Sequence, residues 1–214
     1  MNKAKIILNY LEKRYGMYKN TSMKNQEIFE LLIETVLSQR TRDENSEKAA
    51  NNLFKIARTP KQILKLPMKK LQSLIRISGP YKQKAKRIKQ LSKIILEKYN
   101  GKVPNNREEL IELPGVGFKT SAIVLMYGFG IPAIATDVHV EQISKRLGLV
   151  SQSDKPQEIE KKLEKIFPIN KWYIINLGLV MFGKEICLTR NPRCIICRFN
   201  KFCLYGRHIL AKKI

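Results

Sequence analysis

Apolar residues recur at helical spacing along most of the chain, and this pattern predicts the secondary structure. Residues 4–15 are expected to form an amphipathic helix, and the almost wholly apolar stretch Ile28 to Leu37 a buried one. Helical periods follow at 44–57, at 64–77 as two short helices, in a basic segment that ends at Tyr99, and at 137–147, 156–167 and 171–183. No sustained period-two alternation is bounded by turn residues, so the pattern predicts an all-α fold.

Capping residues mark several helix ends. Thr59-Pro60 is typical of a helix start, with proline at the first helical position, and Asn100-Gly101 is typical of a helix C-terminus. Asn105 or Asn106 can cap a short helix whose first turn carries two glutamates.

The segment Leu113-Pro-Gly-Val-Gly-Phe-Lys-Thr120 follows that short helix and predicts a tight turn before a second helix. Glycine permits backbone angles closed to other residues and lets a foreign backbone approach closely. The apolar run Ser121 to Tyr127 is expected to be helical, so its first N–H groups point back at the turn, where they can bind a phosphate. The pattern therefore predicts a helix-hairpin-helix that holds a nucleic-acid backbone. Its expected contacts are Gly115, Val116, Gly117 and Thr120.

Lys119 falls in the first turn of the second helix, where a cation is disfavoured by the helix dipole. This position favours a neutral amine that can attack as a nucleophile. The alternative is one more phosphate contact in a lysine-rich protein. Asp137 lies eighteen positions further on and can cap a helix that begins at Val138.

The net charge of the chain indicates which class of binding partner to expect. The 214 residues include 41 Lys and Arg against 18 Asp and Glu, a net charge of +23 that favours a polyanion, although part of the excess could be a solvated surface. No signal peptide is recognisable, and the apolar stretch Ala122 to Ala135 is broken by glycine and proline and is too short to span a bilayer. We therefore expect a cytoplasmic, nucleoid-associated protein without a membrane partner.

All four cysteines lie close together, in the spacing Cys187-x6-Cys194-x2-Cys197-x5-Cys203. Such clustering predicts a metal site in a reducing compartment rather than a disulfide framework. The spacing suits tetrahedral zinc and a [4Fe–4S] cluster equally well on chemical grounds. Arg190 and Arg193 lie between the first two cysteines, where a pinned loop can present them to phosphates.

The Leu-Pro-Gly-Val-Gly-x-Lys-Thr motif, Asp137 and the cysteine cluster together resemble the endonuclease III family. These are helix-hairpin-helix DNA glycosylases with an iron–sulfur cluster, and the resemblance extends from about residue 25 to Cys203. It implies two helical lobes, one formed by 21–131 and the other by 1–20 with 132–214, with the active site in the cleft between them. It also implies that the four cysteines hold a structural [4Fe–4S] cluster.

The resemblance further implies a monomer that removes oxidised pyrimidines from double-stranded DNA and nicks abasic sites. Lys119 would attack C1′ of an extruded nucleotide and cut the strand by β-elimination, with Asp137 ionised as its partner. His139 would be structural or phosphate-binding. In the family a glutamine fills the gap left in the duplex; direct alignment places Arg40 there, with Gln39 beside it, and either could serve.

Two other functions stay open at this point. One is a mismatch-specific glycosylase of the same superfamily, and the other is a non-enzymatic helix-hairpin-helix module that binds DNA and could carry zinc. Glu34 is the one acidic residue in the segment Ile33 to Gln39. It either reaches the base pocket as a general acid, with its pKa raised by burial, or lies at the solvent edge of the helix, paired with a Lys or Arg.

Overall fold

The computed structural model describes residues 2–17 and 23–211, and this part of the chain contains helices and no strand, which confirms the all-α prediction. The α-helices, numbered in chain order, are α1 Lys3–Tyr15, α2 Asn25–Ser38, α3 Asp43–Phe54, α4 Pro60–Lys65, α5 Met68–Leu74, α6 Tyr81–Lys98, α7 Arg107–Glu112, α8 Phe118–Ile123, α9 Val138–Leu147, α10 Pro156–Ile166, α11 Trp172–Glu185 and α12 Leu204–Ala211. Short 3₁₀ turns occur at Arg76–Ser78 and Ile169–Lys171, and a π-helical turn at Val124–Gly128.

The helix ends that local chemistry predicted are found where expected. Thr59 caps α4, and its side chain accepts a hydrogen bond from the Gln62 N–H at 3.3 Å. Asn106 caps α7 in the same way through Glu109. Gly101 follows α6 with a positive φ of 78°, and its N–H bonds back to the carbonyl of Ile95. These ends are set by neighbours in sequence, so they could be predicted without tertiary structure.

Two elements differ from the predicted pattern. The helix expected over Ser121 to Tyr127 ends its α-helical part at Ile123 and continues as the π-helical turn Val124–Gly128. Helix α12 was not predicted, because it is short and contains Gly206, a residue that disfavours helices. Gly206 lies against Cys203, where an added Cβ would stand 3.3 Å from the Cys203 Cβ.

The chain divides into two compact units, Thr21–Ile131 and the pair of segments Met1–Asn20 and Pro132–Ile214. In the unit Thr21–Ile131, α2 is the central helix and buries most of its apolar side chains against α3, α6, α8 and the π-helical turn. Gly128 allows this packing, since an added Cβ would stand 3.1 Å from Ile28. Each large apolar side chain buried in this way contributes about 2 kcal/mol.

The other unit is built around α11, against which both α1 and α9 pack. Leu11 of α1 is fully buried, and it lies so close to Gly178 that an added Cβ there would stand 2.9 Å from the Leu11 Cβ. Phe182 of α11 and Phe199 pack at 5.1 Å between ring centroids, and Tyr10 contacts both rings edge-on. Phe199 therefore anchors the cysteine-containing segment in this core.

No single helix in the described part of the chain is long and apolar enough to cross a bilayer. The pair Pro156–Ile166 and Ile169–Glu185 reaches the necessary length and composition only when counted together, across a bend of 113°.

Candidate nucleic-acid interface and metal centre

The hairpin between α7 and α8 depends on Gly115. Its φ is +87°, a left-handed conformation that favours glycine, and an added Cβ would stand 2.9 Å from the Cδ of Arg87. The turn closes with a hydrogen bond of 3.0 Å from the Val116 N–H to the Leu113 carbonyl. Gly117 is the N-cap of α8 and has no side chain to offer its amides. The first N–H groups of α8 are therefore left for an external acceptor.

The predicted hairpin contacts divide into two kinds. Val116 is 6% exposed and its N–H is used within the turn, while the side chain of Thr120 is 5% exposed. Both side chains thus face the interior and stabilise the hairpin. Phe118 and Lys119 are exposed at the start of α8, where backbone N–H groups lack intrahelical acceptors. The donors available to a phosphate are therefore at Phe118 and Lys119 rather than at Val116.

Gln39 ties the loop after α2 to the hairpin. Its side-chain Nε2 donates to the Gly115 carbonyl at 2.7 Å and lies 3.4 Å from the Thr120 hydroxyl, while its Oε1 accepts from Arg87 at 3.5 Å. Gln39 was predicted from the sequence to contact DNA, but the sequence gave no indication of these hydrogen bonds. They link residues 76 and 81 positions apart, which no local pattern reveals.

Lys84 also holds the loop after α2 in place, although the sequence pattern did not single it out. It is 1% exposed, and its ammonium donates to the Leu37 carbonyl, the Thr41 hydroxyl and the Ser78 carbonyl at 2.5 to 2.7 Å. The Thr41 hydroxyl in turn donates to Ser78 at 2.6 Å. Burial, with a smaller effect of Arg87, lowers the pKa of Lys84 to about 8. A signal did exist, because Lys84 shares the apolar stripe of α6 with Ile88, a position that a surface lysine would not occupy.

Arg40 lies between Gln39 and Thr41, which are both hydrogen-bonded, and is itself exposed. Its φ is +52°, a left-handed conformation that is uncommon for a residue with a side chain. Within the described residues its side chain takes part in no hydrogen bond or ion pair.

Asp137 is the N-cap of α9. Its Oδ1 accepts hydrogen bonds from the N–H groups of His139 at 2.9 Å and Val140 at 2.8 Å. The segment before Asp137 is held by Asn176, whose side-chain oxygen accepts a hydrogen bond from the Ala135 N–H at 2.7 Å. The carboxylate is half-buried and fixed in direction, and Oδ2 is not used by the capping bonds. The capping role expected of Asp137 is confirmed.

The His139 ring packs closely on α11. An added Cβ at Gly183 would stand 2.4 Å from its Nδ1, and that buried nitrogen has no hydrogen-bond partner among the described residues. A phosphate could reach only the other ring nitrogen, so packing is the role that the geometry supports.

The four cysteines line one small cavity, together with apolar residues of α9 and α11. The sulfur of Cys187 accepts a hydrogen bond from Arg146 at 3.3 Å, and the sulfur of Cys203 accepts one from the Gly206 N–H at 3.3 Å. Such donors suit thiolate sulfurs, so the residues present fit a metal-bound tetracysteine site. As thiols, Cys187 and Cys197 have a pKa raised by burial, to about 11 for Cys197. Within the described residues, no group of three or more His, Cys, Asp or Glu is arranged to hold a single metal ion.

Arg146 holds the loop that follows the first cysteine, a role that sequence reasoning missed. Its guanidinium donates to the carbonyls of Leu188 at 2.9 Å and Thr189 at 3.2 Å and stacks 4.2 Å from the Tyr205 ring centroid. Arg190 and Arg193, in the same loop, are exposed, as their predicted role requires.

Glu34 is exposed rather than buried, and within the described residues it forms no ion pair. Partial desolvation of its carboxyl, with Glu47 nearby, nevertheless raises its pKa. The solvent-edge position is thus found, whereas the expected basic partner is not.

Comparison with known proteins places these features in a family. Residues 33–169 match the model of the HhH-GPD superfamily base excision DNA repair proteins. The chain is 49% identical to Endonuclease III of Thermotoga maritima over 184 residues, 86% of each chain, and 35% identical to Endonuclease III of Escherichia coli strain K12 over 98% of this chain and 99% of that one.

Solved structures give the same result. A non-covalent Endonuclease III–DNA complex is similar with a TM-score of 0.89 and 37% identity, covering 99% of this chain and 100% of that one. A thermostable thymine-DNA glycosylase is similar with a TM-score of 0.85 and 26% identity, covering 96% and 97%. The extent and level of these similarities show that the chain belongs to the endonuclease III family of base-excision DNA repair glycosylases.

Proposed function

We propose that the protein is a bifunctional DNA glycosylase and abasic-site lyase that removes oxidised pyrimidines from duplex DNA and then nicks the strand. It acts as a monomer on DNA that contains damaged bases or abasic sites. The hairpin amides at Phe118 and Lys119 hold a phosphate next to the lesion, and the +23 charge supplies the wider attraction to the backbone.

Lys119 acts as the nucleophile. Its amine attacks C1′ of the extruded nucleotide, and the C1′–N bond breaks with its electron pair leaving on the base, which takes up a proton. Loss of the amine proton and opening of the sugar ring give a Schiff base. Removal of a C2′ proton then expels the 3′ phosphate, and water hydrolyses the Schiff base to free Lys119.

Asp137 stabilises the positive charge that develops on the sugar. The N–H groups of His139 and Val140 hold Oδ1, and this fixes the carboxylate and leaves Oδ2 for the substrate. An ionised, oriented carboxylate is what a cationic transition state needs.

Cys187, Cys194, Cys197 and Cys203 hold a [4Fe–4S] cluster, which supplies a rigid link rather than a reaction step. The shared cavity and the N–H donors from Arg146 and Gly206 support this assignment. Pinned by the cluster, the loop presents Arg190 and Arg193 to phosphates with little ordering cost.

The observation that carries the proposal is the exposed Lys119 in the first turn after a Gly-Val-Gly hairpin turn. A trapped covalent Endonuclease III–DNA intermediate, similar to this chain with a TM-score of 0.88 and 38% identity, supports covalent chemistry in the family. The test is borohydride trapping on a duplex with one abasic site. Wild-type protein should form a covalent complex and Lys119→Ala should not, whereas Lys61→Ala on the exposed face of α4 should behave as wild type. Trapping that survives Lys119→Ala would move the nucleophile elsewhere.

A further inference from the structure

A polar cleft runs along the exposed face of α3, in the unit Thr21–Ile131 that also contains the hairpin. Its volume is about 660 Å³, and its other wall is formed by the end of α5 and the 3₁₀ turn that follows. This cleft, the α3 groove, is defined by Lys48, Asn51, Asn52 and Lys55 of α3 and by Arg76 and Ile77 of the turn.

The groove is positively charged. Lys48, Lys55 and Arg76 line it, and within the described residues their side chains take part in no hydrogen bond or ion pair. None of the residues that line the groove is acidic. The nearby Glu47 is turned toward Glu34 of α2, because burial and then Glu47 raise the pKa of Glu34. Three cations therefore face one cleft without an internal counter-charge, which favours an anionic ligand.

The spacing of the α3 residues matches a nucleic-acid backbone. Lys48, Asn51, Asn52 and Lys55 share one helix face, and at 1.5 Å per residue they extend over about 10 Å. One DNA strand advances about 3.4 Å per nucleotide, so this stripe spans about three phosphates. Lysine, arginine and asparagine are side chains that commonly contact phosphates. Ile77, 43% exposed, adds an apolar surface for a deoxyribose.

The α3 groove and the hairpin are joined by the loop between α2 and α3. Gln39 donates to the Gly115 carbonyl of the hairpin at 2.7 Å, and the Thr41 hydroxyl donates to the Ser78 carbonyl at 2.6 Å. Ser78 is the last residue of the 3₁₀ turn that forms one wall of the groove. DNA held at the hairpin thus has a second basic surface beyond this loop.

We propose that the α3 groove binds the phosphates of a second stretch of the DNA backbone, separate from the phosphate at the hairpin. This proposal rests on the proposed function, because it adds a contact to the DNA on which the enzyme acts. Phosphate contacts position a duplex and carry no sequence information. The groove therefore strengthens binding to damaged and undamaged duplex alike and leaves the choice of lesion to other residues.

The test measures binding to a duplex that carries tetrahydrofuran, a stable analogue of an abasic site, over a range of salt concentrations. The groove variant combines Lys48→Ser, Lys55→Ser and Arg76→Ser. The slope of log affinity against log salt should become shallower by about 2 to 3, because each phosphate contact contributes about 0.9.

A matched control removes the same charge outside the groove. It combines Lys61→Ser, Lys65→Ser and Lys69→Ser, at exposed positions of α4 and α5 that do not line the groove. Its slope should differ from the wild-type slope by less than about 1. Thermal unfolding of both variants checks that each is folded.

Methylphosphonates, which neutralise single phosphates, locate the contact when they are placed one at a time along both strands. Positions that weaken wild-type binding severalfold should form two separate stretches, and the groove variant should lose the effect in one stretch only. Equal slopes in the groove variant and the control, or the same methylphosphonate pattern in the groove variant and the wild type, would overturn the proposal.

Two other results separate this proposal from its alternatives. Loss of polyglutamate binding in the groove variant, with DNA affinity unchanged, would assign the groove to an acidic protein segment and overturn the proposal. Binding to the tetrahydrofuran duplex requires no chemistry. Failure of borohydride trapping by the wild-type protein would therefore contradict the proposed function, while the binding results still decide the role of the groove.

Discussion

The side-chain amide of Gln39 donates a hydrogen bond of 2.7 Å to the backbone carbonyl of Gly115. One end of this bond is in the loop after α2 and the other is in the hairpin turn, so these two segments of Thr21–Ile131 are held in one geometry. Gly115 accepts this bond from a turn in which its own backbone is left-handed, with a φ of +87°.

Removing this bond should loosen the loop. Gln39→Ala is expected to lower the free energy of unfolding by about 1 kcal/mol, which is the typical net contribution of one partly buried hydrogen bond to stability. Excision should slow severalfold while the affinity for undamaged duplex stays nearly constant. Urea unfolding and single-turnover kinetics measure the two effects. Gln26→Ala is the matched control, since the exposed Gln26 donates a hydrogen bond to Glu30 within the same helix; equal losses in both variants would contradict this role.

Asp137 should show two separable functions. Asp137→Asn keeps a capping oxygen and should retain stability within about 0.5 kcal/mol, whereas Asp137→Ala should lose about 1 kcal/mol. Both should reduce turnover more than tenfold, because neither retains a charge for the cationic sugar. Thermal unfolding and burst kinetics distinguish these effects, and a fully active Asp137→Asn would restrict Asp137 to capping.

Lys84 predicts a dependence of stability on alkaline pH. Its pKa is about 8 when folded and 10.5 in the unfolded chain, so between these values the unfolded state binds the extra proton. The free energy of unfolding should therefore rise with pH across this window, by about 2 to 3 kcal/mol relative to Lys84→Met. Below pH 8 both states are protonated, and the difference from the variant should be constant. Denaturant melts from pH 7 to 10.5 check this; a difference that stays flat above pH 8 would show that Lys84 keeps its proton.

The cysteine site predicts metal content. Protein purified without oxygen should be yellow-brown and contain about four irons per chain, with broad visible absorption. Cys197→Ser should lose the colour and weaken DNA binding, because the loop with Arg190 and Arg193 is no longer pinned. Stoichiometric zinc without iron in the wild-type protein would contradict the assignment.

A substitution at Glu34 tests whether this residue acts as a general acid. Its pKa is raised by partial desolvation and by Glu47, which favours the protonated form that could donate to a leaving base. Because Glu34 lies at the solvent edge of α2, Glu34→Gln is expected to leave base excision and nicking at a preformed abasic site at wild-type rates. Base excision slowed several-fold, with nicking unchanged, would instead identify Glu34 as a general acid. Glu47→Gln, as a control, should remove only the neighbouring charge. Wild-type rates for both steps would limit Glu34 to a surface charge.

Local chemistry allowed much of the fold to be predicted. The caps at Thr59 and Asn106 and the turn at Asn100-Gly101 depend on residues within six positions, so the sequence carries them directly. The boundary of α8 was harder, because the π-helical turn that follows depends on packing against α2.

The supporting residues of the site could not be predicted in the same way. Arg87, Lys84 and Arg146 act through partners more than forty positions away, apart from the Lys84 bond to Ser78. The sequence shows Arg87 and Arg146 only as basic side chains among 41, whereas Lys84 differs by its position in the apolar stripe of α6. Motif residues are recognisable because their spacing is local, whereas the residues that orient them are recognisable only in the folded chain.

The pairing of α1 with α11 constrains the order in which the protein folds during synthesis. Helix α1 is made before the segment 21–131, yet Leu11 finds its place against Gly178 only after 167 more residues have been made. At 5–20 residues per second this is a wait of roughly ten to thirty seconds. Residues 21–131, a continuous segment, can fold in that interval and hold a finished hairpin before the first helix has a partner.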